Sequence, residues 1–188
     1  MFTRIRSLRP VDAFGLVGVG VVITLVLSGT AIAVTDTNFT YSTTKTGYLT
    51  IHPMDLAPAN NLAADNYYID FGAGLSHSAP GGGCYNTGVN LPQLAKVISV
   101  QTYYVDEPTG NMYVYLYRNN LSTDVTDTLA TQYINDNTGV RSSQTTTVGS
   151  TQRTVWNNTY AYGFAVCLGA DSSFEGTRIT YTYTSAGD

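Results

Sequence analysis

KVISVQTYYVDEPTGNMYVYLYRNN, residues 96–120, decides the fold. Two runs rich in β-branched and aromatic residues alternate with a period of two. In the first, Ile98, Val100, Thr102 and Tyr104 share one face; in the second, Met112, Val114 and Leu116 do. Between them lies Asp106-Glu107-Pro108-Thr109-Gly110-Asn111, where proline presets φ and glycine permits φ > 0, the chemistry of a turn. The stretch predicts a β-hairpin.

Working outward, the same signals recur. Strands are predicted over residues 47–52, 66–71, 96–105, 112–118, 128–134, 144–148, 159–168 and 177–184, about eight in all. Phe164, Val166 and Leu168 alternate with Ala161, Gly163, Ala165 and Cys167, as expected of a central strand covered on both faces. Near the end, Ile179, Tyr181 and Tyr183 alternate with Thr180, Thr182 and Thr184. No long 3.6-residue apolar period follows residue 33. The fold class expected is all-β, an antiparallel sandwich or barrel.

Composition agrees. The chain of 188 residues is 43% hydrophobic, 12% aromatic and 12% charged, about half the usual charged content of about 25%. Nine Lys and Arg against thirteen Asp and Glu leave no cationic footprint, so no nucleic-acid partner is expected.

The N-terminus reads as an address. Arg4, Arg6 and Arg9 precede AFGLVGVGVVITLVLS at residues 13–28, and Ala31-Ile32-Ala33 fits a small-residue cleavage site. This is the anatomy of a signal-peptide helix over residues 1–33, removed after Ala33. The alternative is an uncleaved membrane anchor, because the uncharged run from residue 13 to residue 35 just spans a bilayer. Removal leaves residues 34–188 as one domain, with six basic residues against twelve acidic ones. Export places the chain in the extracellular space or cell envelope. There the only two cysteines, Cys84 and Cys167, read as a disulfide pinning the central strand to a loop.

Several quoted residues together resemble a family. Leu91-Pro92, Ala95 and Val97, then Tyr103-Tyr104-Val105-Asp106, then 112–118 (MYVYLYR), 162–168 (YGFAVCL) and 174–181 (FEGTRITY) resemble a loose group of secreted, uncharacterised bacterial proteins. That group's pattern has an LP-x-GA loop, a strand ending in Asp and a partner strand ending in Arg. This chain carries Gln93-Leu94 where the pattern has a glycine before alanine. The resemblance implies a jelly-roll-like β-sandwich and export, and it implies no catalytic residues.

Candidate chemistry is sparse. There is no G-x-S-x-G elbow, and the only histidines are His52 and His77, so a hydrolase would have to be built around one of them. No zinc-ligand spacing occurs. Asp106-Glu107 and Glu175 give little material for paired carboxylates. Asn135, Asp136 and Asn137, ahead of Thr138-Gly139, place oxygen ligands close together as calcium loops do, though such clusters are also ordinary turn formers. A structural Ca²⁺ is the one cofactor considered, and otherwise none is expected.

The aromatic pattern is more informative. Tyr113, Tyr115 and Tyr117 share the face opposite Met112, Val114 and Leu116, so an aliphatic core turns the tyrosines outward. Such a row suits stacking on sugar rings. It equally suits a plain Tyr/Thr-covered sheet, since both residue types favour strands. Trp156, in a turn-like setting, is a further candidate ligand-surface aromatic.

The sequence therefore predicts an exported, non-catalytic structural or interaction protein. Its second reading is a carbohydrate-binding module using the tyrosine face, and its third is a secreted hydrolase. Expected partners are an extracellular polysaccharide or an envelope protein. A membrane is a partner only if the N-terminal segment is retained.

Overall fold

A computed structural model describes residues 40–59, 67–70, 74–77, 82–106 and 110–185. The segment read as a signal peptide and the tip of the predicted hairpin, residues 107–109, lie outside the described residues.

Among the described residues eleven β-segments follow in order: β1 (Thr40–Ile51), β2 (Ala57–Pro58), β3 (Tyr67–Asp70), β4 (Gly74–His77), β5 (Gly83–Gly88), β6 (Lys96–Val105), β7 (Met112–Asn120), β8 (Thr126–Ile134), β9 (Arg141–Thr147), β10 (Tyr160–Leu168) and β11 (Ser173–Ser185). The first sheet runs β3-β4-β11-β6-β9, with β1 also paired to β11; the second runs β2-β5-β10-β7-β8. All pairings are antiparallel.

The eight long strands form a nested ribbon. β1 pairs with β11, β5 with β10, β6 with β9 and β7 with β8. Successive pairs alternate between the two sheets, and the contacts β11–β6 and β10–β7 complete each sheet. This is jelly-roll winding. The expected all-β, jelly-roll-like sandwich is the observed fold, and β2, β3 and β4 are short additions at its edges.

The core lies between the sheets, where Val97, Val100, Phe174 and Ile179 of the first face Tyr85, Val114, Leu116, Phe164 and Val166 of the second. The Phe164 and Phe174 rings meet across this layer at 5.8 Å. Gln132 bridges the sheets by donating to Val100 O at 2.9 Å and Gln144 O at 3.1 Å.

Several sequence expectations need correction. Residues 96–120 do not form the expected hairpin: β6 pairs with β11 and β9 in the first sheet, whereas β7 pairs with β10 and β8 in the second, so the two alternating runs face each other across the core instead of sharing a ladder. β6 carries a bulge: Ser99 opposes Thr180 and Val97 opposes Tyr181, which leaves Ile98 between them. Val97 therefore enters the core and Ile98 does not share the face of Val100, because a bulge shifts alternation by one residue. Cys84 sits on a strand rather than a loop. It bonds to its direct cross-strand partner Cys167, with Cα atoms 3.9 Å apart. Residues 72–95, which fall between two predicted strands, contain β4 and β5.

Asp106, expected to be a turn residue, is fully buried. Its Oδ2 accepts from the backbone N–H groups of Asp136 (2.9 Å) and Asn137 (3.2 Å), and its Oδ1 accepts from Ser172 Oγ (3.0 Å). One carboxylate thus gathers the end of β6, the β8–β9 connection and the β10–β11 connection. Hydrogen bonds to a charged acceptor are the strong ones, and stranding their donors is costly.

Asp106→Ala is expected to lower unfolding stability by about 2–4 kcal/mol, read as the shift in the urea midpoint at constant slope. A loss under about 0.5 kcal/mol, the usual surface value, would deny the carboxylate this role. Replacing both cysteines by serine should cost about 2–5 kcal/mol, and reduction of the native chain should move the midpoint equally.

Candidate functional site

On the outer face of the second sheet, strand register sets the side chains out as a grid. Tyr133, Tyr113, Cys167 and Cys84 stand in one cross-strand row; Thr131, Tyr115, Ala165 and Asn86 form the next. A third row holds Thr128, Tyr117, Gly163 and Gly88. Direct antiparallel partners project to the same face. The tyrosines of β7 therefore form a ridge, and β10 beside it presents only Ala161, Gly163, Ala165 and Cys167 as a low floor.

Ring geometry sharpens the ridge. Tyr113 and Tyr115 lie nearly parallel, 5° between planes, with centroids 6.3 Å apart. Tyr133, which the sequence reading did not single out, packs 4.7 Å from Tyr113. Tyr113 is 38% exposed and Tyr133 48%, while Tyr115 and Tyr117 are half-buried.

Half-burial of Tyr117 has a cause in β10. A Cβ built on Gly163 would lie 2.5 Å from Tyr117 Oη, so the ring rests over the glycine. The resulting depression, about 210 Å³, is lined by Asn86, Thr87, Gly88, Tyr117, Asn119 and Ala161 together with Gly163. An aromatic wall, a floor of small residues and amide side chains as hydrogen-bonding groups converge there.

Trp156 stands off this row. It lies on the β9–β10 connection at one end of the sandwich and is 43% exposed. Its backbone N–H donates to Tyr162 Oη at 2.8 Å, and its carbonyl accepts from Thr159 and Tyr160 N–H.

The histidines have structural occupations. His52 caps the 3-10 turn Pro53–Asp55: its Nδ1 accepts from Met54 N–H, and its own N–H donates to Asp55 Oδ2 at 2.8 Å. His77 is buried, with Nδ1 2.8 Å from Tyr85 Oη. Desolvation lowers its pKa, holding the ring neutral. Burial, with a smaller contribution from Tyr67, pushes the Tyr85 hydroxyl up to about 12. Glu175 is ion-paired with Arg141 at 2.7 Å.

In the considered calcium loop, Asp136 Oδ2 accepts from Tyr104 Oη at 3.0 Å and Oδ1 from Thr138 Oγ1 at 3.4 Å. Burial, followed by this hydrogen bond and the Asp136 and Asp106 charges, pushes the Tyr104 hydroxyl up to about 12. Asn137 follows in the left-handed region at φ 54°. Among the described residues no group of three or more His, Cys, Asp or Glu is placed to hold a metal ion.

No protein-family model matches the chain, and no curated protein matches it. Among solved structures it is similar to the C-terminal CBM6 of LamC from Zobellia galactanivorans. That likeness has 16% identity, covers 71% of this chain and 99% of the other, and has a TM-score of 0.47. A xylan-binding module, CBM15, is 12% identical over 77% of this chain and 99% of its own, at a TM-score of 0.42. A family 6 carbohydrate-binding module is 7% identical over 73% and 92%, also at 0.42.

His77 makes stability depend on pH. Its folded pKa lies below the unfolded value of about 6.5, so the unfolded chain takes up the proton first as pH falls. Stability should therefore be constant in this respect above about pH 7 and decline below about pH 6.5. His77→Gln should flatten that decline in denaturant titrations, and an unchanged slope in the variant would assign it elsewhere.

Proposed function

We propose that the protein is a non-catalytic saccharide-binding β-sandwich whose ligand lies along the tyrosine ridge of β7 and the small-residue floor of β10. The observation that carries this reading is the pairing of that ridge with that floor in strict register. A pyranose ring offers an apolar C–H face and an equatorial rim of hydroxyls. Parallel tyrosine rings match the first, while Asn86, Asn119 and the tyrosine hydroxyls match the second.

The ligand class proposed is a polysaccharide outside the cell. The Cys84–Cys167 bond fits an oxidising compartment, and export by residues 1–33, with residues 34–188 as the working domain, belongs to the same proposal.

Retention of the full chain on a panel of insoluble polysaccharides tests it. The native protein should be retained on at least one matrix, and the triple variant Tyr113→Ala, Tyr115→Ala, Tyr117→Ala should lose at least about tenfold in affinity, or about 1.4 kcal/mol. Gly163→Ala, which lifts the Tyr117 ring and fills the floor, should weaken binding several-fold. Trp156→Ala should leave it unchanged. Equal retention of the native and triple-variant chains, both folded by circular dichroism, would move the site off this face.

A further inference from the structure

On the opposite sheet a second recess arises from register slips. Both neighbours of β11 slip near its C-terminal end. On β6 the extra residue is Ile98, and on β1 the pairing jumps from Thr40–Ser185 to Lys45–Tyr183. Bulges bend a strand and re-aim its side chains. Here they leave a recess of about 290 Å³ on the outer face of the first sheet, whose lining combines Thr44, Lys96, Arg153, Thr182 and Thr184 with the apolar Leu94 and Ile98 and the Tyr183 ring. Lys96 and Thr182 are direct cross-strand partners, and Arg153 arrives on the β9–β10 connection, whose Thr154 bridges to Lys96.

Among the described residues the charges in this recess have no counter-charge. Arg118 is paired with Asp127 at 2.9 Å and Arg141 with Glu175. Arg178 bonds Gln101 and covers the Tyr48 ring, and Lys45 covers Tyr41. Among the described residues, Lys96 and Arg153 are the two basic side chains with no ion pair, side-chain hydrogen bond or aromatic partner, and both line this recess. Among the described residues no acidic side chain lines it. In residues 34–188, which carry six basic and twelve acidic residues, two unpaired cations in one hydroxyl-bearing recess select an anion. A guanidinium offers paired donors in a fork, an ammonium adds a compact charge, and threonine hydroxyls complete the donors for an oxyanion.

We infer that this recess binds the oxyanion group of an acidic polysaccharide, a carboxylate or a sulfate ester, between Lys96 and Arg153. The site is separate from the tyrosine face and does not rest on it.

The test uses affinity electrophoresis of the full chain in gels holding polygalacturonate, dextran sulfate or neutral dextran. At about 0.01 M ionic strength, where charges reach about 30 Å, at least one acidic gel should retard the native chain. Lys96→Gln combined with Arg153→Gln should weaken that retardation at least about fivefold, and about 1 M salt, with its screening length of about 3 Å, should abolish it. Retardation by polygalacturonate assigns a carboxylate, and by dextran sulfate a sulfate. The tyrosine triple variant should keep its acidic-gel retardation, so failure of either site is read separately. A double variant that melts like the native chain yet is retarded equally overturns the inference, as does a native chain that no acidic gel retards.

Discussion

The register of β10 between β5 and β7 is the constraint on which the rest of the structure depends. Phe164, Val166 and Leu168 point into the core only if Ala161, Gly163, Ala165 and Cys167 point out. Side chains alternate with a period of two, so a slip of one residue would bury the small set and expose the large one. The disulfide holds the chosen register, because Cys84 and Cys167 meet only when they are direct partners. The same pairing lays Cys167, Ala165 and Gly163 beside Tyr113, Tyr115 and Tyr117. Core packing and surface relief are thus two sides of one strand alignment.

Polar groups at the margins keep that alignment from being only hydrophobic. Asp106 gathers two connections and the end of β6 through three donors. Thr102 and Thr177 join β6 to β11 inside the core at 3.0 Å. A buried carboxylate with its lone pairs occupied is tolerated where a bare one is not. This explains how Asp106 can occupy a fully buried position just after β6.

The two outer faces differ in kind. The second sheet presents aromatic relief over a small-residue floor; the first presents threonines with basic residues among them. Leu94, beside the recess on the first sheet, holds φ 64°, a conformation that suits glycine and is rare for a branched side chain.

The sequence by itself determined the all-β class, the strand character of β6 and β7, the central place of β10, the cysteine pair and the placing of the β7 tyrosines on the face opposite Met112, Val114 and Leu116. Each is a local property, set by alternation over a few residues or by an even cysteine count. The sequence read β6 and β7 as a hairpin, whereas each pairs within a different sheet. It did not reveal β5, whose Gly83-Cys84-Tyr85-Asn86-Thr87-Gly88 reads as loop, or the bulge at Ile98, because both exist only through pairing with distant strands. For the same reason Asp106 passed as a turn residue: its donors lie some 30 and 66 positions away. Tertiary structure alone decided that Tyr133 joins the ridge, that Trp156 stands off it and that Lys96 and Arg153 line one recess. Alternation tells a side chain which face to take; only the register between strands tells it which neighbours it will have.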